Sequence, residues 1–552
     1  VTIELEDVSS FTFANCTNLT KITFNGVTNI YERSFENCTS LEVVTIPDSV
    51  VQIGLYAFIN CESLQKVTYG ENSKITKIAN STFANCKCLS EIQLPKKIEI
   101  LEFGAFANCT KLSKFDFDKS LKIIAKRAFY GCGAEEINLE IYSFLDEIGV
   151  SAFEGCFNLK TIKIPRKTKT ISERAFANCK SLESIVLSSS SSFSMIETIG
   201  ESAFEDCTNL KFVYLTIRVK TIGKRAFAGC TSLIKVHFNG TSALNDIGSY
   251  AFVNCEHLKS TNVLTSDTVK SFGENIFEGC NSLESIVIGN GVDKIPPNAF
   301  KNCASLKSVN LGSSVNEIDQ LAFVNCTELQ SLRLNSEITL YPETFTNSTN
   351  LVIYTNDENN LYTESGITYN KNSRNVVYMN PNTVDNIINV PDFISSIYPD
   401  MYVNLNKVNR VLINDGVIRI STKGFYNCSF SYVRISKTVS TIEEGAFTNC
   451  DSLKTIEIAE DNSYFSNYQS DGIVYNKALN KLVMVPPGLE SLQLPSTLEE
   501  ISTMSFNDCS KLTTIILPET VNTIQNETFV GTASNVNIYY CGNGKIGRAS
   551  CR

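Results

Sequence analysis

The chain has 552 residues, 48 Lys and Arg against 58 Asp and Glu for a net charge of -10, and only two histidines. So small an imbalance with no basic run leaves no electrostatic footprint for nucleic acid, and no stretch of about 18 or more apolar residues is present to span a bilayer. The lack of GxSxG, P-loop and paired-cysteine zinc spacings argues against an enzyme, a cofactor or a metal. The chain starts at Val1 without a signal peptide, which suggests a processed form or a fragment.

From the N-terminus onward the apolar residues follow neither a helical nor a strand period. In ISERAFANCKSLESIVL, Ile171 to Leu187, the candidate core positions Ile171, Phe176, Cys179, Leu182, Ile185 and Leu187 are spaced by five, three, three, three and two. A helix would mix threes and fours, and a strand would keep to twos. The rhythm repeats. VTIPDSVVQIGLYAFINCESLQK, Val44 to Lys66, is one unit of 23 residues, and its Phe-x-x-Cys core recurs from Phe13/Cys16 through Phe323/Cys326, then at Phe425/Cys428, Phe447/Cys450 and Phe506/Cys509. Two units keep the Phe and replace the Cys, Phe345 with Ser348 and Phe529 with Thr532. A degenerate unit aligned on Pro391 places Ile397, Tyr402, Leu405, Val408, Val411 and Ile413 where Ile53, Phe58, Cys61, Leu64, Val67 and Tyr69 stand. A fixed period of this length means stacked coils, about twenty of them, each burying its apolar edge against its neighbours.

Each unit reads as a strand, a turn and an irregular return. Ile185 and Leu187 alternate with outward positions, and Pro47, Pro95, Pro165 and Pro518 end their strands because Pro cannot donate the next ladder bond. A second extended piece ends in Ile-Gly at Gly54, Gly149, Gly200, Gly223 and Gly248, where glycine is expected to take a positive φ before Ala-Phe packs back. SGITYNKNSRNVVYMNP (Ser365 to Pro381) and DGIVYNKALNKLVMVPP (Asp471 to Pro487) are copies of one another, and each reads as a β-hairpin. Ile367, Tyr369, Val376 and Val377 of the first are expected to cover the degenerate unit around Tyr402 and Leu405. The chain then divides into a coil array at 1–350, a hairpin insertion at 351–387, array at 388–458, a second insertion at 459–488, array at 489–538 and a tail at 539–552.

The unit xxIPxSVxxIGxxAFxNCxxLxx resembles the BspA-like class of leucine-rich repeat, known from surface antigens of bacteria and parasitic protists, over most of the chain. The resemblance implies a β-rich right-handed solenoid with one parallel sheet along one face, and a role in adhesion to host matrix or cells.

Seventeen of the 20 cysteines occupy one column of the repeat. Stacking points them into the core as small buried thiols, where a hydroxyl in place of Cys179 would lack a partner. Cys86 and Cys88 lack further ligands for zinc, and Cys541 and Cys551 leave a terminal disulfide open. Of ten Asn-x-Ser/Thr sequons, Asn15, Asn37, Asn108, Asn325 and Asn427 precede the column Cys and belong to the tight return of the coil. Asn80, Asn239 and Asn526 are the better glycan candidates.

What remains for function is the outward face of the strands. Its middle column runs from Thr23, Thr45 and Thr68 through Lys163, Val186, Tyr214, His237 and Asn262 to Asn310 and Arg333. Phe212, Tyr214 and His237 bring aromatic groups to it, the composition of interface hot spots, beside the polar loop in Leu187 to Thr198. Phe212, Tyr214, His237 and Arg333 are the candidate ligand-binding residues. The expected partner is a protein or glycan of a host cell or matrix, met by an extracellular or cell-surface protein. An intracellular scaffold for protein-protein interaction in the cytoplasm is the rival reading, because free thiols suit a reducing compartment as well.

Overall fold

A computed structural model describes all residues except 117–118, 140–144, 146, 188–193, 239, 336–337, 342, 356–360, 380–383, 535, 541–546 and 551–552. Among the described residues there is no helix, only short strands and turns. They form a β-solenoid of about 22 turns of ~23 residues, divided into two compact units, Val1–Leu332 with Ile338–Ser348, and Arg333–Glu337 with Thr349–Arg552.

One coil of the first unit explains the irregular spacing. The strand Val43–Ile46 buries Val44 and Ile46 and exposes the residues between. It pairs in parallel with Lys66–Tyr69, Val44 opposite Val67 and Thr45 opposite Thr68. Pro47 then turns the chain, with the Val50 N–H donating to its carbonyl at 3.1 Å. Gln52–Ile53 belongs to a second stack of parallel strands only two residues long, Ile30 opposite Ile53, and farther along the unit nine such strands run in unbroken order from Lys77–Ile78 to Ser271–Phe272. The uneven steps are therefore two strands of different stacks joined by a return.

The return is built on left-handed backbone at two positions four residues apart, with the column Phe between them. Tyr56 (φ 59°) and Asn60 (φ 60°) flank Phe58, as Arg174 (φ 54°) and Asn178 (φ 60°) flank Phe176. The second position takes Asn, Asp or Gly, the residues that tolerate φ > 0. This corrects the role expected for the Ile-Gly glycines. Gly54, Gly149, Gly200, Gly223 and Gly248 do not have positive φ; a Cβ at Gly54 would lie 2.6 Å from the Glu32 backbone, and one at Gly248 2.3 Å from the Lys224 backbone. They are glycine because successive coils touch there, main chain against main chain.

Stacking repeats every contact. The column phenylalanines of the first unit form a continuous ring stack from Phe13 to Phe345, for example Phe35 on Phe58 at 5.1 Å and Phe153 on Phe176 at 5.4 Å, each burial contributing about 1.5–3 kcal/mol. Asparagines of the return form a parallel ladder, with Nδ2 of Asn37, Asn60, Asn85 and Asn108 each donating to Oδ1 of the preceding Asn at 2.7 to 2.8 Å. Asn325, Asn347 and Asn427 donate in the same way. A glycan would need that nitrogen, so the sequons at Asn37, Asn108, Asn325, Asn347 and Asn427 are spent on the fold. Asn526 is exposed, Asn80 is half-buried with its Oδ1 accepting the Phe103 N–H at 3.2 Å, and Asn239 lies outside the described residues.

All the described cysteines are free thiols, and the column members are buried apart from Cys16. Each central one donates to the carbonyl of the Phe one coil earlier: Cys61 Sγ to Phe35 O at 3.2 Å, Cys179 Sγ to Phe153 O at 3.2 Å. The expectation that a hydroxyl here would lack a partner is therefore corrected. Ser348 makes the same bond, Oγ to Phe323 O at 2.7 Å. Cys541 and Cys551 lie outside the described residues.

In the second unit Ile387–Val390, Arg410–Ile413, Tyr432–Ile435 and Thr455–Ile458 form a parallel sheet in that order. The degenerate coil keeps its place, with Tyr402 buried in the Phe column and stacked on Phe425 at 5.1 Å. The first insertion is a three-stranded antiparallel sheet, Leu361–Glu364, Ile367–Asn370 and Asn375–Met379. Its last two strands are the hairpin expected from the sequence, and Leu361–Glu364 adds a third in front of them. Ile367 and Tyr369 share one buried cluster with Tyr402 and Leu405, Val376 packs against it, and Tyr402 Oη donates to Tyr369 Oη at 3.3 Å. The second insertion likewise adds Phe465–Ser466 to Val474–Asn476 and Lys481–Met484, and the last of these continues in parallel into Glu500–Ile501. Residues Gly547–Ser550 pair antiparallel with Asn537–Tyr540.

Two measurements check this account. Cys179→Ser should melt near the parent, whereas Cys179→Val, which has no donor for the Phe153 carbonyl, should melt lower by an amount on the order of 1 kcal/mol. Burial pushes Cys38 up to about 11 and Cys326 to about 12 and screens the column from reagent. Native thiol titration should therefore reach Cys16, Cys88 and any unpaired tail thiols, with the 16 buried column thiols appearing only on denaturation. Column thiols already paired as disulfides would refute the ladder.

Candidate functional site

The outward face of the first unit begins small and polar. Thr68 Oγ1 donates to Thr45 Oγ1 at 3.2 Å, and Lys66 pairs across strands with Glu91 at 3.1 Å. Similar Lys–Glu pairs, Lys160 with Glu135 at 3.4 Å and Lys211 with Glu183 at 3.5 Å, lead toward the centre. Exposed pairs of this kind contribute little stability and mainly keep the surface polar.

The face changes at Phe212–Leu215. Val213 and Leu215 fill the core, so alternation turns Phe212 and Tyr214 outward, where they are 41% and 50% exposed. Two residues past the strand, Ile217 is 42% exposed and would contact a Cβ at Gly240, which is glycine. Register sets Tyr214 opposite His237 and Phe212 opposite Lys235 on Lys235–Phe238. Phe212, Tyr214 and His237 are thus brought together as the sequence suggested, on two neighbouring strands.

Beyond them the ladder stops after Ser260–Thr261, and a side chain takes over its work. Asn262 Oδ1 accepts the Phe238 N–H at 2.8 Å, and its Nδ2 donates to the Phe238 carbonyl at 3.1 Å. That double bond fixes the amide so that Nδ2 also faces His237 Nε2 at 3.4 Å. His237 therefore presents an unprotonated Nε2 to a donor. Burial, and then the charge of Lys235, hold its pKa below the usual histidine value. His257 is occupied elsewhere, its Nδ1 2.7 Å from the Thr231 carbonyl. Arg333 is exposed on Ser331–Leu334, which pairs with neither Phe212–Leu215 nor Lys235–Phe238. Of the expected polar loop Leu187 to Thr198, residues 188–193 lie outside those described. Ile217 and the anchoring role of Asn262 were missed. Ile217 follows the strand, where alternation no longer says which way a side chain points, and an Asn gives no sign that its amide will stand in for backbone.

The second unit also has aromatic groups outward: Tyr354, Tyr398 and Tyr464 are about half exposed, and another set pairs with charged neighbours. Arg410 stacks over Tyr432 at 4.2 Å, Tyr432 Oη donates to Glu457, and Arg434 Nε lies 3.5 Å from Glu457. Among the described residues no group of three or more His, Cys, Asp or Glu is placed to hold a metal ion, and no helix is long and apolar enough to cross a membrane.

Six successive matches to the model of the BspA type leucine-rich repeat region cover residues 2–100, 76–195, 186–304, 270–387, 375–484 and 486–549. The chain belongs to the BspA-type leucine-rich repeat family. Members generally bind proteins, are typically non-enzymatic scaffolds, and are often surface-displayed or secreted. Solved structures similar to this BspA-type chain include a leucine-rich repeat protein of Bacteroides ovatus, 20% identical over 76% of this chain and 92% of that one, with a TM-score of 0.49. A leucine-rich cell surface protein of Faecalibacterium prausnitzii is 23% identical over 60% of this chain and 84% of its own, with a TM-score of 0.33. No curated protein matches the chain.

The depressed His237 value has a direct test. In a titration followed by nuclear magnetic resonance, its ring should change protonation below the ordinary midpoint of about 6.5. Between the two values the unfolded chain binds the proton that the folded chain refuses, so this group makes stability rise with pH across that window. In Asn262→Ala the neighbouring ring loses its Nδ2 donor, and the midpoint should move up toward the ordinary value.

Proposed function

We propose that the chain is a non-enzymatic, surface-displayed or secreted adhesion protein that binds a protein of a host cell or matrix through the face around Phe212, Tyr214 and His237. The observation that carries this reading is the exposure of two large aromatic rings on one strand, with Ile217 exposed just past it, where the paired strands set Ser184 and Lys235 opposite Phe212 and His237 opposite Tyr214. Water gains nothing from covering such rings, and a partner that desolvates them does. The rigidity of the flanking strands favours the same use, because a paired strand holds a ring in place at little entropic cost on binding.

The test is adhesion of the purified chain to immobilised host matrix proteins and to cells. Tyr214→Ala and Phe212→Ala should each weaken binding by on the order of 30-fold, the scale of a hot spot, while Thr45→Ala stays near the parent. Equal loss in all three, or none in any, would remove the patch as the site. Recovery of the full-length protein from the cytosol alone would favour an intracellular scaffold.

A further inference from the structure

We propose that the second unit carries a separate binding site for a neutral oligosaccharide, in a cleft between its first inserted sheet and the outward side of its parallel strands. The cleft encloses about 890 Å³, within the range of small-ligand sites. It shares no residue with the face around Tyr214 and does not rest on the adhesion reading.

Three parts of the fold meet in it. The inserted sheet supplies Tyr362, whose Oη donates to Glu364 at 2.7 Å and whose ring meets Phe393 edge-on at 5.7 Å, with Lys371 Nζ 5.6 Å from its centroid. The floor is the outward column Asn389, Leu412, Arg434, in register on three successive parallel strands. The far wall is the row of turns that follow those strands and carry Asp392, Asn414, Asp415 and Lys437. Coils repeat at the ~4.8 Å spacing of paired strands, close to the advance of one sugar ring, so successive coils can meet successive rings with their own polar groups.

The charges select the ligand class. Four carboxylates and three cations line the cleft, and several are already matched: Lys437 lies 3.1 Å from Asp415 and 3.9 Å from Asp461, and Arg434 3.5 Å from Glu457 outside it. A strongly charged ligand of either sign would meet its own sign within the cleft and displace these pairs. Neutral hydroxyls suit the lining better, because they can donate to Asp392 and Asp415 and accept from Arg434 and the Asn389 amide in the same pose. Tyr362 and Phe393 add aromatic surface for the C–H face of a sugar ring. A peptide is less well served. Of the floor strands, Arg410–Ile413 and Tyr432–Ile435 are paired on both sides, so strand addition is open only at the terminal strand Ile387–Val390 and not across the floor.

The experiment is calorimetric titration of the whole chain with neutral hexose and N-acetylhexosamine oligomers, with uronate or sulfated oligosaccharides and a lysine-rich peptide as the other arms. At least one neutral oligosaccharide should bind saturably, and Asp392→Ala or Asn414→Ala, both exposed turn positions, should weaken it about tenfold or more, the effect of losing a hydrogen bond to a ligand. Tyr214→Ala should leave it unchanged. Unaltered melting of the two turn variants would separate lost contacts from lost fold. Absence of binding by every neutral oligomer, binding of the charged sugars or the peptide alone, or loss in Tyr214→Ala with retention in Asp392→Ala would each overturn the proposal. None of these outcomes bears on protein adhesion through the first unit.

Discussion

The column phenylalanine joins each coil to the next through its backbone as well as its ring. Phe58 donates its N–H to the Thr82 carbonyl of the following coil at 2.9 Å, and its own carbonyl accepts both the Cys61 N–H and, from the following coil, the Cys86 thiol at 3.3 Å. The N–H of a fully buried residue is thereby satisfied only when a neighbour is present, and its carbonyl gains a second donor in the same way. That is why a single coil has no independent stability and the array behaves as a one-dimensional stack. It also explains the left-handed residues on either side of the Phe. They swing the chain so that alternate N–H groups of the return point along the stacking axis, and each costs backbone strain that the shared bonds offset.

Departures from the consensus follow the same constraint. Ser348 replaces Cys because a hydroxyl can make the same bond, and Tyr402 replaces Phe because the ring still stacks on Phe425. Glycine interrupts the asparagine ladder where the preceding side chain fills the space. A Cβ at Gly131 would lie 2.7 Å from Asn108 Oδ1, and one at Gly229 2.2 Å from Asp206 Oδ1. Ser348 keeps the donor to the preceding coil's Phe carbonyl, whereas Leu405 fills the same column as a buried apolar side chain.

With the interior committed to stacking, variation is left to the outward positions of the strands and to the turns after them. The face of the first unit spends that freedom mostly on polar residues and ion pairs before the exposed Phe212 and Tyr214. The second unit spends it on groups that pair with each other and on an inserted sheet that walls off part of the face. The insertion is anchored as core: Ile367 and Tyr369 are fully buried in the cluster of the degenerate coil. It can therefore hold Tyr362 rigidly over the neighbouring turns.

The period, the Phe and Cys columns, the alternation of the strands and even the masked coil at Tyr402 were legible in the sequence, because every coil solves the same packing problem and the repeated solution shows in register. The outward face containing Phe212, Tyr214 and His237 could be read for the same reason, since period-two alternation decides which residues face out. What needed tertiary structure was every feature in which one coil acts on the next. The left-handed site two residues before the Phe accepts Tyr, Arg, Ser or Leu and has no compositional mark. The Ile-Gly glycines answer to the backbone of the preceding coil, not to their own φ. The thiol bond to the Phe carbonyl, the amide of Asn262 standing in for a strand, and the cleft beneath Tyr362 all join residues more than twenty positions apart. Local sequence determines the conformation of one coil; the groups that coil meets are decided by its neighbours.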